Sequence, residues 1–97
     1  MYLEIVTPEA VVFRAKAKAV KVPGHDGEFQ MLNHHAPIVS TLVEGDVKID
    51  LPSGGKNEVK PKGDLFRTST SEPDTVYFHV KGGVLEMKDN KAIILAD

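Results

Sequence analysis

Val47-Lys48-Ile49-Asp50-Leu51, residues 47–51, sets three branched apolar side chains at odd positions and two charged ones between them. That is the period of two expected of a strand with one face in a core and the other in water. Thr75 to Val80 repeats it through Val76, Phe78 and Val80, and Glu28 to Leu32 puts Phe29 and Met31 on one side with Glu28 and Gln30 on the other. Val84–Lys88 and Lys91–Ala96 flank Asp89-Asn90, a pair that tolerates left-handed backbone and suits the tight turn of a β-hairpin. Turn-forming residues recur at short intervals throughout, from Thr7-Pro8 to Gly82-Gly83, and leave little room for a long helix. The reading is all-β, an antiparallel sandwich or barrel of short strands.

Two segments complicate the pattern. Ala15-Lys16-Ala17-Lys18-Ala19 consists of good helix formers, but it runs directly into Val20-Lys21-Val22-Pro23-Gly24 while the apolar parity moves from odd to even positions. One inserted residue would do this, so a β-bulge near Lys18 and Ala19 is expected. Residues 52–73 mix Gly, Pro, Ser, Thr and charges around Val59, Leu65 and Phe66. They read as a long variable excursion within one domain spanning residues 1–97, with short edge strands near Glu58–Lys60 and Leu65–Thr68 or a tip without fixed structure.

The chain has 97 residues, 41% hydrophobic and 27% charged, which suits one soluble domain with one core. Its lack of cysteine excludes disulfides, thiol nucleophiles and thiolate zinc sites. A net charge of -2 with scattered basic residues argues against nucleic acid, and no stretch reaches the roughly 18 apolar residues of a spanning helix. His25, Asp26, His34, His35 and His79 are the candidates for metal ligation or acid–base work, but their spacing matches no zinc pattern, and they read as loop and interface residues. Ser40 lacks a nucleophile elbow, and no glycine leads into a helix that could cradle a phosphate. No catalytic residue, cofactor or metal site is therefore expected.

The informative stretch is residues 23–42, PGHDGEFQMLNHHAPIVSTL. Its turn Gly24-His25-Asp26-Gly27-Glu28 and its loop Asn33-His34-His35-Ala36-Pro37-Ile38 resemble the epsilon subunit of F-type ATP synthases in its N-terminal domain. The opening LEIVTPEAVVF, the later Lys81-Gly82-Gly83-Val84-Leu85-Glu86-Met87 and the final Ile93-Ile94-Leu95-Ala96-Asp97 resemble that family in the same order. There are departures: His34 stands where the family often has Gly, Gln30 where a small residue is common, and the excursion over 52–73 is longer than the usual connection.

The resemblance implies a flattened β-sandwich of about ten strands acting as a non-catalytic rotor subunit in the central stalk. Such a subunit binds the gamma subunit and the c-ring and couples proton-driven ring rotation to ATP synthesis. Carried over, Gly24, His25, Asp26, Gly27 and Glu28 would face the c-ring, with Glu28 the foremost contact. His34, His35, Ala36 and Pro37 would lie near gamma, and Phe29 and Met31 would serve either that interface or the core, core being favoured by their alternation. No small-molecule ligand is implied, and the location would be the cytoplasmic face of a bacterial plasma membrane, peripheral through the complex. The sequence ends at Asp97, where many members continue into a helical hairpin, so coupling without inhibition or nucleotide sensing is the expectation. The competing readings are a free-standing β-sandwich that holds a small ligand between the His25, His34 and His35 loops, and a metal-dependent enzyme of cupin type.

Overall fold

The structure, a computed structural model, describes residues 1–55 and 66–97. Among these residues the chain forms ten strands: β1 Tyr2–Val6, β2 Val11–Lys16, β3 Ala19–Gly24, β4 Gly27–Leu32, β5 Ile38–Leu42, β6 Gly45–Asp50, β7 Phe66–Ser69, β8 Glu72–Val80, β9 Gly83–Lys88 and β10 Lys91–Ala96. They join one sheet in the order β2-β1-β10-β9-β5-β3-β6-β8-β7, with β4 paired to β3 off that path. The sheet curls until its ends meet through side chains. Phe66 on β7 stacks on Phe13 of β2 at 5.8 Å between ring centroids and lies 4.6 Å from Phe78 of β8.

The core is the inner side of this curl. Leu3, Ile5, Val20, Val22, Met31, Val47, Ile49, Leu51, Val76, Phe78, Leu85, Met87 and Ile94 are all essentially inaccessible, and all but Leu51, which directly follows β6, come from alternating strand positions. Thr75, the buried polar residue, donates to Asp50 Oδ1 at 2.8 Å, so its hydroxyl enters the core satisfied.

Sequence periodicity located β4, β6, β7, β9 and β10 to within a residue or two, β8 begins three residues before the expected Thr75, and three further expectations need correction. The sheet is not wholly antiparallel: β1 and β10 pair in parallel, from Tyr2 opposite Lys91 to Val6 opposite Leu95. These strands come from opposite ends of the chain, so no short connection constrains their sense. Ala17 and Lys18 are also not a bulge inside one strand. They form a corner at which the chain changes neighbours, Ala17 N donating to Met1 O (2.8 Å) and Lys18 N to Asp50 O (2.7 Å). Register shifts lie instead between Ile5 and Val6, where β2 carries one extra residue, and between Thr68 and Ser69 on β7. Finally, the excursion over 52–73 contains β7 and the start of β8. The edge strand expected at Leu65–Thr68 is found at Phe66–Ser69, and that expected at Glu58–Lys60 lies outside the described residues.

The turns follow local chemistry. Asp89 (φ 52°) and Asn90 (φ 59°) both take left-handed backbone, as a two-residue hairpin turn requires. Gly83 is fixed by space and backbone together, since a Cβ there would lie 2.3 Å from Leu95 O with φ at +147°.

Candidate functional site

The β3–β4 hairpin makes a projecting lip. Gly24 pairs with Gly27, leaving His25 and Asp26 exposed at the tip with His25 Nδ1 3.3 Å from Asp26 Oδ1. The lip is braced from behind, because His25 N donates to Thr41 O and Val43 N donates to Pro23 O, both at 2.9 Å. Glu28 is exposed, its carboxylate 3.5 Å from Lys21 Nζ. Gly24 is buried and offers no contact surface. A side chain there would come within 2.9 Å of the Phe29 ring and 2.7 Å of Gly27 O, so its role is to let Phe29 lie across the strand.

The loop before β5 is held from the other end of the molecule. His34 takes a left-handed φ of 63°, which accounts for the glycine common at this place in the family the sequence resembles. Its N–H donates to Asn90 Oδ1 at 2.8 Å, and His35 N donates to Leu32 O at 3.2 Å. The Met1 ammonium donates to Ala17 O and to Asn33 Oδ1, and burial lowers its pKa from the usual amine value, with Lys16 adding to the effect. Ala36 and Pro37 are exposed and His35 is half-buried. Met31 is fully buried in the core and cannot touch a partner, while half-buried Phe29 packs against that core.

The histidines are far apart. His25 sits beside Thr41 near the end of β5 and His35 precedes its start, so five residues of strand, roughly 17 Å, separate them. A ligand site gathering His25, His34 and His35 is not formed. Among the described residues no group of three His, Asp or Glu side chains is arranged to hold a metal ion.

His79, on the outer face of β8, belongs to a polar ladder. Its Nδ1 lies 3.1 Å from Asp46 Oδ1 and its Nε2 3.2 Å from Glu44 Oε2. Arg67 donates to Asp46 Oδ2 at 2.8 Å and stands over the Tyr77 ring at 4.7 Å. Tyr77 donates to Glu72 at 2.7 Å, and Lys48 Nζ is 3.4 Å from the same carboxylate. The Asp46 and Glu44 carboxylates raise the His79 pKa above the ordinary imidazole value, and the Arg67 hydrogen bond, seconded by His79, lowers that of Asp46. The outer face of β6, β8 and β7 thus pairs its charges internally.

The opposite outer face, on β2-β1-β10-β9-β5, is of another kind. One cross-strand row runs Val11, Val6, Leu95, Val84 and Thr41, each residue directly opposite the next. Val11 is 42% exposed, Leu95 54% and Val84 40%, and in the next row Ile93 and Val39, the latter 70% exposed, extend the patch. A shallow recess of about 310 Å³ beside it is lined by Pro37, Ile38, Val39, Glu86, Met87 and Lys88. Pro37 thereby joins the predicted loop to this face, and a second recess lined by His25, Asp26, Val39, Ser40 and Thr41 sets the lip beside its β5 edge. Sequence reading missed Val6, Val11, Val84 and Leu95. The available signal was the apolar run Ile93-Ile94-Leu95, where alternation sends Ile93 and Leu95 outward about buried Ile94, whereas Val11 faces out because of the extra residue in β2, which alternation does not mark.

Fold and surface together define a small all-β sandwich module. The family described as ATP synthase, Delta/Epsilon chain, beta-sandwich domain matches residues 1–62, and the chain belongs to this family. It is 36% identical over 95 residues to the ATP synthase epsilon chain of Desulforamulus reducens, covering 98% of this chain and 57% of that one. Against the ATP synthase epsilon chain of Chlorobium limicola the identity is 30%, over 98% of this chain and 86% of that one. A 57-residue stretch is 46% identical to the epsilon chain of Nitratiruptor, covering 59% of this chain and 44% of the relative. The chain therefore spans about half the length of some curated relatives and most of others. Among solved structures, the Tetrahymena thermophila mitochondrial ATP synthase central stalk and c-ring assembly matches with a TM-score of 0.65 at 15% identity, over 99% of this chain and 62% of that one, a likeness of fold. Among the described residues no helix is long and apolar enough to cross a membrane.

Proposed function

We propose that this chain is a non-catalytic rotor subunit of epsilon type in an F-type ATP synthase. Residues 1–97 act as one body that docks the gamma subunit on the outer face of β2-β1-β10-β9-β5 and presents the His25–Glu28 lip to the c-ring. Rotation of the ring driven by ion flow then passes through this body to the catalytic head, at the cytoplasmic face of a bacterial plasma membrane.

The observation that carries the reading is the apolar row of Val11, Val6, Leu95 and Val84. Contiguous exposed apolar residues with a charged margin are the anatomy of a protein interface. Five strands spaced about 4.8 Å apart and about five residues long present roughly 20 by 17 Å of face. That is less than the roughly 800 Å² per partner of a standard interface, so the adjoining loop of His34, His35, Ala36 and Pro37 is assigned to the same contact. Met31 and Phe29 support that loop from within. Torque transmission requires stiffness, which the sheet and its ladder of charge pairs supply.

Co-expression with the gamma subunit of the same genome, followed by size-exclusion chromatography, tests this. The parent and Glu28→Ala co-elute with gamma, while Leu95→Asp elutes alone with an unchanged melting temperature. A folded parent that does not co-elute, or a Leu95→Asp variant that binds like the parent, overturns the reading.

A further inference from the structure

The apolar face has a polarity along its strands. Val11, Val6, Leu95 and Val84 lie toward one end, and four residues away along β1, roughly 13 Å, the row becomes Lys16, Tyr2, Lys91 and Lys88. Lys91 Nζ stands 5.5 Å from the centre of the Tyr2 ring, which holds its charge in the plane of the face. Outward positions on these five strands carry four basic side chains, Arg14, Lys16, Lys88 and Lys91, against two acidic ones, Glu4 and Glu86. Glu4 is already engaged by Arg14 at 3.4 Å. Among the described residues none of the three lysines has a carboxylate within salt-bridge distance, in contrast to Lys48 and Arg67 on the ladder face. In a chain of net charge -2 this gathers three lysines at one margin of the apolar row, where Glu86 and the turn residue Asp89, which line a recess with Lys88 and Lys91, are the acidic groups nearby.

We propose that this face recognises a protein surface that carries carboxylates opposite Lys16, Lys88 and Lys91 and an apolar patch opposite Val6, Val84 and Leu95, so that the charged row fixes the partner's direction and register. This rests on the assignment of the face to gamma docking. A flat row of Val and Leu can be covered in several registers at similar energy, because apolar contact is non-directional. A charged band along one margin removes that degeneracy, since the reversed partner would set its apolar patch on the lysines and leave its carboxylates on Val and Leu. The lysines are exposed and on the rim, so they act mainly on encounter rate and specificity and less on final affinity. A protein fits better than a membrane surface, because the apolar side chains of the row are short and Tyr2, the aromatic on this face, is only partly exposed and lies under Lys91.

The test measures association of the full chain with the gamma subunit by stopped flow across ionic strength, for the parent, Lys16→Glu/Lys88→Glu/Lys91→Glu, the corresponding triple Gln variant and Leu95→Asp. Parent association slows about tenfold or more from ~0.05 to ~0.5 M salt. At low salt the Glu triple associates about tenfold or more slowly than the parent, with little salt dependence, and the Gln triple falls between. Lysines introduced at acidic positions of gamma restore the Glu triple. A Glu triple with the parent's rate and salt slope, while Leu95→Asp still fails to bind, overturns the charge inference and leaves the docking face standing. Leu95→Asp binding like the parent overturns the docking assignment and this inference with it. Sedimentation of the parent, but not the Gln triple, with vesicles of equal phosphatidylglycerol and phosphatidylcholine would assign the band to a membrane and overturn it as well.

Discussion

Closure of the curled sheet rests on one half-buried ring. Phe66 lies between Phe13 and Phe78, at 5.8 and 4.6 Å, and joins β7 to β2, which share no register of backbone pairing. A fully buried Phe contributes about 1.5–3 kcal/mol, so a half-buried one gives about 1–1.5, and each aromatic pair adds about 0.5–1.5 kcal/mol. Phe66→Ala should therefore cost about 2–4 kcal/mol, a large share of the 5–15 kcal/mol typical of a domain. At about 4–8 °C per kcal/mol for this size, the melting temperature falls by about 10–30 °C. Phe66→Leu retains most of the apolar area and loses both ring pairs, so it costs about 1–3 kcal/mol. Urea unfolding followed by far-UV circular dichroism gives each value, and a double-mutant cycle of Phe13→Leu with Phe66→Leu should return a coupling of about 0.5–1.5 kcal/mol. A Phe66→Ala loss under about 0.5 kcal/mol, or additivity in the cycle, would show that the sheet closes without this cluster.

His79 gives the fold a pH signature. Its folded pKa is raised by Asp46 and then Glu44, so its contribution is fully present below the unfolded value of about 6.5 and is lost as pH rises through the raised folded value. Asp46 works in the opposite sense: its pKa is lowered chiefly by Arg67, and its contribution is lost as pH falls through that lowered value. Thermal melts of the parent and His79→Gln should thus converge at alkaline pH and separate near pH 6, and a constant separation across that range would remove His79 as the cause. His34→Gly should stabilise by about 0.5–1 kcal/mol, because relief of roughly 1–2 kcal/mol of left-handed strain exceeds the added backbone entropy of roughly 0.5–1; a lower urea midpoint would refute this.

What the sequence reveals here is what a single strand can carry. Val47, Ile49 and Leu51 announce their inward face by alternation, and Asp89-Asn90 announces a turn because both residues tolerate positive φ. The parallel pairing of β1 with β10 left no such mark, since it depends on where two distant segments come to lie. The corner at Ala17 and Lys18 looked like a bulge for a similar reason. Both a bulge and a change of partner reverse parity, and only the hydrogen bonds to Met1 and Asp50 distinguish them. Met31 and Phe29 share one face of β4, yet Met31 is sealed in the core while Phe29 lies near the hairpin end over Gly24. Periodicity assigns a side, and position along the strand decides the depth.

The proposed docking face was hidden because it breaks the rule by which strands are recognised. Val6, Val84 and Leu95 are apolar at outward positions, so single-strand patterning absorbs them as core; they become a surface only when register sets them opposite one another. The ladder on β6, β8 and β7 supplies the contrast. There Asp46 faces His79 and Lys48 faces Tyr77 across the strands, and Arg67 and Glu72 complete the pairing, so a partner covering that face would have to desolvate groups that already have partners. Removing such paired charges from water costs several kcal/mol per ion without a compensating gain. Covering the Val–Leu row instead gains about 25 cal/mol for each Å² of apolar surface removed from water. The two faces thus differ in the sign of the free energy of being covered, and that difference is the physical ground for proposing one as the partner's face and leaving the other to water.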